Sequence, residues 1–150
     1  MAAEIFMMGE FEATFPDDRL YARNHMWTIE SDGIYRFGLS AYAVRLLQDV
    51  YFLDWEIEPP TRVIAKQELG SIESKKAESS IYSPAQGNIT ALNSTLLEDP
   101  SGINVDKYGD GWLLEMSVDN PDFLTAKQYI EHLEVVWQDA QKTIKGQMNQ

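Results

Sequence analysis

Between Arg23 and Val118 the chain is a series of short apolar runs cut by turn-forming residues, and only after Asn120 does the apolar period lengthen to that of a helix. That order predicts a mainly β domain closed by a C-terminal helix. Residues 27–30 and 34–39, joined by Ser31-Asp32-Gly33, read as the two strands of a hairpin. Residues 41–47 have the spacing of one or two helical turns, and residues 50–55 read as a strand stopped by Glu58-Pro59-Pro60. Residues 88–93 alternate with period two, as a half-buried strand does, and Asp110-Gly111 turns the chain into a strand at 112–118. Asn120 and Pro121 suit the N-cap and first position of a helix. Leu124, Tyr129, Ile130, Leu133, Val136, Trp137, Ala140 and Ile144 then recur every three or four residues, which predicts a helix over about 121–146. Residues 1–19 are acidic and lack a regular pattern, so they read as an irregular N-terminal arm before a domain at 20–150.

Composition removes several kinds of chemistry. The 44% apolar content, with 4 Trp, 7 Tyr and 6 Phe, is that of a chain with an ordered core. Without cysteine there are no disulfides, thiolate metal sites or cysteine nucleophiles. The two histidines, His25 and His132, are too few and too far apart in sequence to predict a zinc site. No serine stands beside an obvious base, so nothing supplies a nucleophile–base pair. A net charge of −12 disfavours nucleic acid and anionic membrane surfaces and suits basic surfaces on partner proteins. No apolar run is long enough to span a membrane, and the first ten residues resemble neither a secretory signal nor a transit peptide, which makes a cytoplasmic location the expectation.

The stretch that points to function is Gly70-Ser71-Ile72-Glu73-Ser74-Lys75-Lys76-Ala77, followed by Tyr82-Ser83-Pro84-Ala85-Gln86-Gly87. One glycine lies six residues before Lys76 and another eleven after it, with Ser-Pro between. Glycines so placed permit the close backbone of strand ends and turns, and put Lys76 at an exposed apex between two strands. A lysine there is ordinarily a solvated charge. It is also the geometry a carrier needs, because a tethered cofactor must swing while the backbone beneath it stays fixed.

Glu73-Ser74-Lys75-Lys76-Ala77 is similar to the E-S-x-K-A motif of glycine cleavage H-proteins, in which the lysine before alanine carries lipoate. Gly70, Ser83-Pro84, Gly87, Asn93, Pro100, Ile103-Asn104, Tyr108 and Gly111-Trp112 fall at that family's spacings without a gap. His25-Met26-Trp27 resembles its H-E-W, residues 38–43 its G-I-T-x-x-A, and residues 124–129 its closing helix, so the likeness covers about 20–133. The resemblance implies a barrel-sandwich hybrid with flanking helices and lipoate on Lys76. Glu73, Ser74 and Ala77 would form the motif around it, and Lys75 would occupy the variable position. It further implies a non-catalytic carrier that passes an aminomethyl group between partner enzymes. The implied partners are glycine decarboxylase, aminomethyltransferase and dihydrolipoyl dehydrogenase, with a lipoate ligase or lipoyl transferase to load the arm. Biotin carriers flank their lysine with methionines, which this chain lacks.

The departures from the family pattern concern its cleft for the loaded arm. Met26 replaces the glutamate of H-E-W, Ser80 an aspartate, and Leu46 a residue that is commonly polar, while Leu47-Gln48 alters a leucine-glycine pair. Losing charged partners for an ammonium group leaves two other expectations open: a carrier of another lipoate-dependent pathway such as sulfur oxidation, or an unmodified interaction module on the same fold.

Overall fold

Asp32 and Gly33 have φ values of +52° and +83°, the pair of left-handed conformations that a two-residue type I′ hairpin turn requires. They join strands Met26–Ser31 and Ile34–Leu39, as the Asp-Gly signal predicts. The computed structural model describes residues 2–148, with side chains as far as Asp139. In chain order the strands are β1 (Ala3–Met8), β2 (Phe11–Pro16), β3 (Leu20–Tyr21), β4 (Met26–Ser31), β5 (Ile34–Leu39), β6 (Val50–Trp55), β7 (Thr61–Val63), β8 (Glu68–Ser74), β9 (Glu78–Tyr82), β10 (Gly87–Leu92) and β11 (Leu114–Val118). The helices are α1 (Ala41–Leu47), α2 (Thr95–Glu98), α3 (Gly102–Val105) and α4 (Ala126–Met148).

Six strands form one sheet in the order β3-β4-β5-β11-β10-β7, and β6-β8-β9 form a second. Their facing sides enclose the main core: Phe37, Leu39, Ile89, Leu114 and Met116 come from the first sheet, and Val50, Leu53, Leu69, Ile72 and Ile81 from the second. The architecture is the mainly β sandwich with a C-terminal helix that the sequence predicts. Strand β4 also divides its neighbours between two cores. Met26 faces the inter-sheet core, whereas Trp27 enters a second cluster with Phe15, Tyr21, Tyr42, Tyr129 and Leu133.

That second cluster corrects the reading of residues 1–19. Residues 3–16 form a β-hairpin, not an irregular arm, with Phe6, Met8, Ala13 and Phe15 buried against α4 and Trp27. Met8 and Phe11 pair across Gly9-Glu10, and Gly9 at φ +66° supplies the left-handed first position of a tight turn. Ile5-Phe6-Met7-Met8 conceals its period because the outward residues Ile5 and Met7 are apolar as well.

The start of the last helix also differs from expectation. Tyr21 and Leu124 exchange two backbone hydrogen bonds, each 2.8 Å, which holds Leu124 extended and excludes a helix beginning at Pro121. Thr125 starts it instead. Its Oγ1 accepts the Gln128 amide at 3.2 Å while the Gln128 Oε1 accepts the Thr125 amide at 3.0 Å, a reciprocal capping box. Val136 and Trp137 of the predicted stripe pack on the second cluster, and Ala140 and Ile144 lie beyond the described side chains. Helices α2 and α3, four residues each, are too short to leave a period in the sequence.

Candidate functional site

Glu73 on β8 pairs with Glu78 on β9, so the tip between the strands is Ser74-Lys75-Lys76-Ala77. Ser74 closes it. Its amide donates to the Ala77 carbonyl at 2.9 Å, its hydroxyl donates to the same oxygen at 3.0 Å, and its Oγ accepts the Ala77 amide at 3.2 Å. The Lys75 amide donates to the Asp49 carbonyl at 2.9 Å, which fastens the tip to the segment between α1 and β6. Asn104 in turn holds that segment, with Nδ2 donating to the Gln48 carbonyl and Oδ1 accepting the Val50 amide. Lys75, Lys76 and Ala77 are exposed while Ser74 is buried, and among the described residues Lys76 enters no ion pair. The result is a rigid backbone under a free primary amine. Ser74→Ala should speed hydrogen exchange of the Ala77 amide about fivefold, as expected for losing one hydrogen bond of roughly 1 kcal/mol. Unchanged protection would show that Ser74 does not hold the turn.

Beside the tip runs a groove of about 350 Å³ that reaches Ala77 and Glu78. Its apolar wall includes Met26, Leu39, Leu46, Leu47, Ile72 and Ile81, and its polar groups include Asn24, His25 and Ser80. The three positions that depart from the family's cleft, Met26, Leu46 and Ser80, therefore meet in one cavity. Met26 is buried, Leu46 half-exposed, and the Ser80 hydroxyl donates to the Glu68 carboxylate. A larger pocket of about 530 Å³ lies on the outer side of the six-stranded sheet, around Trp27, Arg36 and Glu115, and contains none of the tip residues.

His25 sits in a left-handed turn (φ +74°), its amide donating to the Ala22 carbonyl and its carbonyl accepting the Ser40 amide. Burial pulls its imidazole down to about 4, with the nearby His132 adding to the effect, so the ring is neutral at pH 7. Its Nδ1 lies 2.8 Å from the Tyr129 hydroxyl. Nothing in the sequence points to this link, because Tyr129 reads there as one more residue of an apolar stripe. Among the described residues no group of His, Asp or Glu is placed to hold a metal ion, and no helix is long and apolar enough to cross a membrane.

A sandwich of two sheets that lifts two exposed lysines on a stapled tip, above an apolar groove, defines a carrier domain of the barrel-sandwich hybrid class. Residues 19–139 match the glycine cleavage H-protein family, and the chain belongs to it. Members of this family are carrier components without catalytic activity of their own. The chain is 40% identical over 124 residues to the glycine cleavage system H protein of Rubrobacter xylanophilus, covering 81% of this chain and 97% of that one. It is 36% identical over 124 residues to that of Methylacidiphilum infernorum, covering 83% and 96%. The crystal structure of a glycine cleavage system H protein from Mycobacterium marinum superposes with a TM-score of 0.69 at 34% identity, covering 77% of this chain and 95% of that one. The hairpin of β1 and β2 lies outside the family match.

Proposed function

We propose that Lys76 carries lipoate in amide linkage and that the chain passes an aminomethyl group between the enzymes of glycine cleavage. The observation that carries this reading is the stapled tip, with Lys76 exposed and unpaired beside an apolar groove. The group fits the residues present: an acyl arm needs a free primary amine at its root and an apolar resting place within reach. When bound, lipoate supplies a disulfide that opens to two thiols. Lys76 would hold it, Glu73, Ser74 and Ala77 would present the lysine to a lipoate ligase or lipoyl transferase, and Met26, Leu39, Ile72 and Ile81 would shelter the arm from water. Glycine decarboxylase, aminomethyltransferase and dihydrolipoyl dehydrogenase are the partners this role requires, in the cytoplasm. The charge of −12 suits basic docking surfaces on such partners. In organisation, a carrier domain over 20–150 bears the N-terminal segment 1–19 as an addition.

A second reading has its own observation. Met26, Leu46 and Ser80 give the groove no carboxylate at the three altered positions, which suits a carrier of another pathway such as sulfur oxidation. Mixing the lipoylated protein with a cognate glycine decarboxylase separates the two. The glycine role predicts glycine–bicarbonate exchange that is lost in Lys76→Arg. No exchange from a protein shown to be lipoylated would favour the other pathway.

A further inference from the structure

Tyr129 is fully buried on α4, stacked on Tyr21 at 4.9 Å between ring centroids and met edge-on by Phe15 at 5.4 Å. Its hydroxyl is the middle of a chain of three groups: Ser40 Oγ at 2.9 Å on one side and His25 Nδ1 at 2.8 Å on the other. Donor accounting fixes the direction. Ser40 is fully buried and its side chain makes no bond to the start of α1, so Tyr129 is the partner available to its hydroxyl proton. If His25 donated to Tyr129, and Tyr129 to Ser40, that proton would have no acceptor in a buried site. Ser40 therefore donates to Tyr129 and Tyr129 donates to His25 Nδ1, which leaves the imidazole proton on Nε2.

Three other side-chain donors around the groove have partners. Asn24 Nδ2 donates to the Tyr82 carbonyl, the Ser79 hydroxyl to the Ser80 carbonyl, and the Ser80 hydroxyl to Glu68. His25 lines this groove too, beside the apolar side chains of Met26, Leu39, Leu46 and Ile81. We propose that Tyr129, backed by Ser40, is a positioning residue that fixes His25 as its Nε2–H tautomer, so that the ring donates to a thiolate of the reduced arm lying in the groove. This rests on the carrier reading of Lys76. The groups that face His25 are Tyr42 from α1, with ring centroids 4.7 Å apart, and Tyr129 and His132 from α4, the latter at 5.9 Å, while Glu78 is the carboxylate that lines the same groove. Burial raises the Tyr129 phenol above its ordinary range, so it stays protonated and donating through the working pH range.

Two measurements on the full-length protein test the proposal. Nitrogen-15 correlation spectra of the histidine rings should give His25 as the Nε2–H tautomer in the wild type and lose that preference in Tyr129→Phe, whereas Ser40→Ala, which leaves His25 Nδ1 as the partner of the buried phenol proton, should keep it. With the lipoylated, reduced protein, the midpoint of the pH profile for alkylation by iodoacetamide should rise by about one pH unit in Tyr129→Phe, the size expected for losing one N–H bond to a thiolate. A wild-type Nδ1–H tautomer, or an Nε2–H tautomer that persists in Tyr129→Phe, overturns the assignment. Absence of lipoate on Lys76 by mass overturns the carrier reading beneath it. A loaded Lys76 with an unmoved midpoint overturns the present inference alone.

Discussion

Alanine at Gly87 is expected to destabilise the domain by about 3 kcal/mol or more, a large share of the roughly 5–15 kcal/mol that holds a domain of this size. Gly87 is paired on both sides, with Val118 of β11 and with Val63 of β7, inside the six-stranded sheet. A Cβ there would stand 1.9 Å from the Ser117 carbonyl oxygen, 2.9 Å from its carbon and 3.1 Å from the Val118 Cα. All three obstacles are backbone, so no rotamer change relieves them, and moving β11 aside breaks its ladder. Gly33→Ala makes the contrast. Gly33 is at φ +83° in an open turn with nothing within 4 Å of the added carbon, and its replacement costs only the left-handed conformation, about 1 kcal/mol. Urea unfolding of both variants checks the pair. A Gly87→Ala loss no larger than that of Gly33→Ala would contradict the close strand approach.

The same glycine shows what was legible in the sequence. Gly70 and Gly87 mark positions where a Cβ meets the backbone of a neighbouring strand, and a sequence shows such glycines directly. The β4–β5 hairpin, α1 and β6 were legible for a similar reason, since each carries its own local signal in turn residues or apolar period. The elements that were not legible depend on partners distant in sequence. The start of α4 is decided by the pairing of Leu124 with Tyr21, about a hundred positions away, which overrides the helix-start signal at Asn120-Pro121. The hairpin of residues 3–16 is stabilised by burying Phe6, Met8 and Phe15 against α4 and Trp27, and its own alternation is masked by apolar residues on both faces.

The site divides in the same way. The place of Lys76 at a hairpin tip was readable because the chain alone fixes its spacing from the flanking glycines. The role of Ser74 as the staple emerges only from its bonds to Ala77, and that of Asn104 only from its hold on the segment that anchors Lys75. Met26, Leu46 and Ser80 lie on β4, α1 and β9, and only the fold brings them to one groove. The Ser40–Tyr129–His25 chain joins three separate elements and has no signature in sequence.

The largest functional effect should come from Lys76→Arg, which is expected to abolish loading altogether. Arginine keeps the charge and nearly the reach of lysine, but its guanidinium does not lose its proton near neutral pH, so it offers no free amine to acylate. The turn should be unaffected, because its hydrogen bonds come from Ser74, the Lys75 amide and Ala77. Lys75→Arg is the control. Lys75 is equally exposed, yet its structural contact with Asp49 runs through the backbone amide, so its side chain can be exchanged without loosening the tip. Intact mass spectrometry of the three natively expressed proteins decides the matter. One lipoyl increment is predicted in the wild type and in Lys75→Arg, and none in Lys76→Arg; an unmodified wild type, or an increment that survives Lys76→Arg, would contradict the assignment of the arm to Lys76.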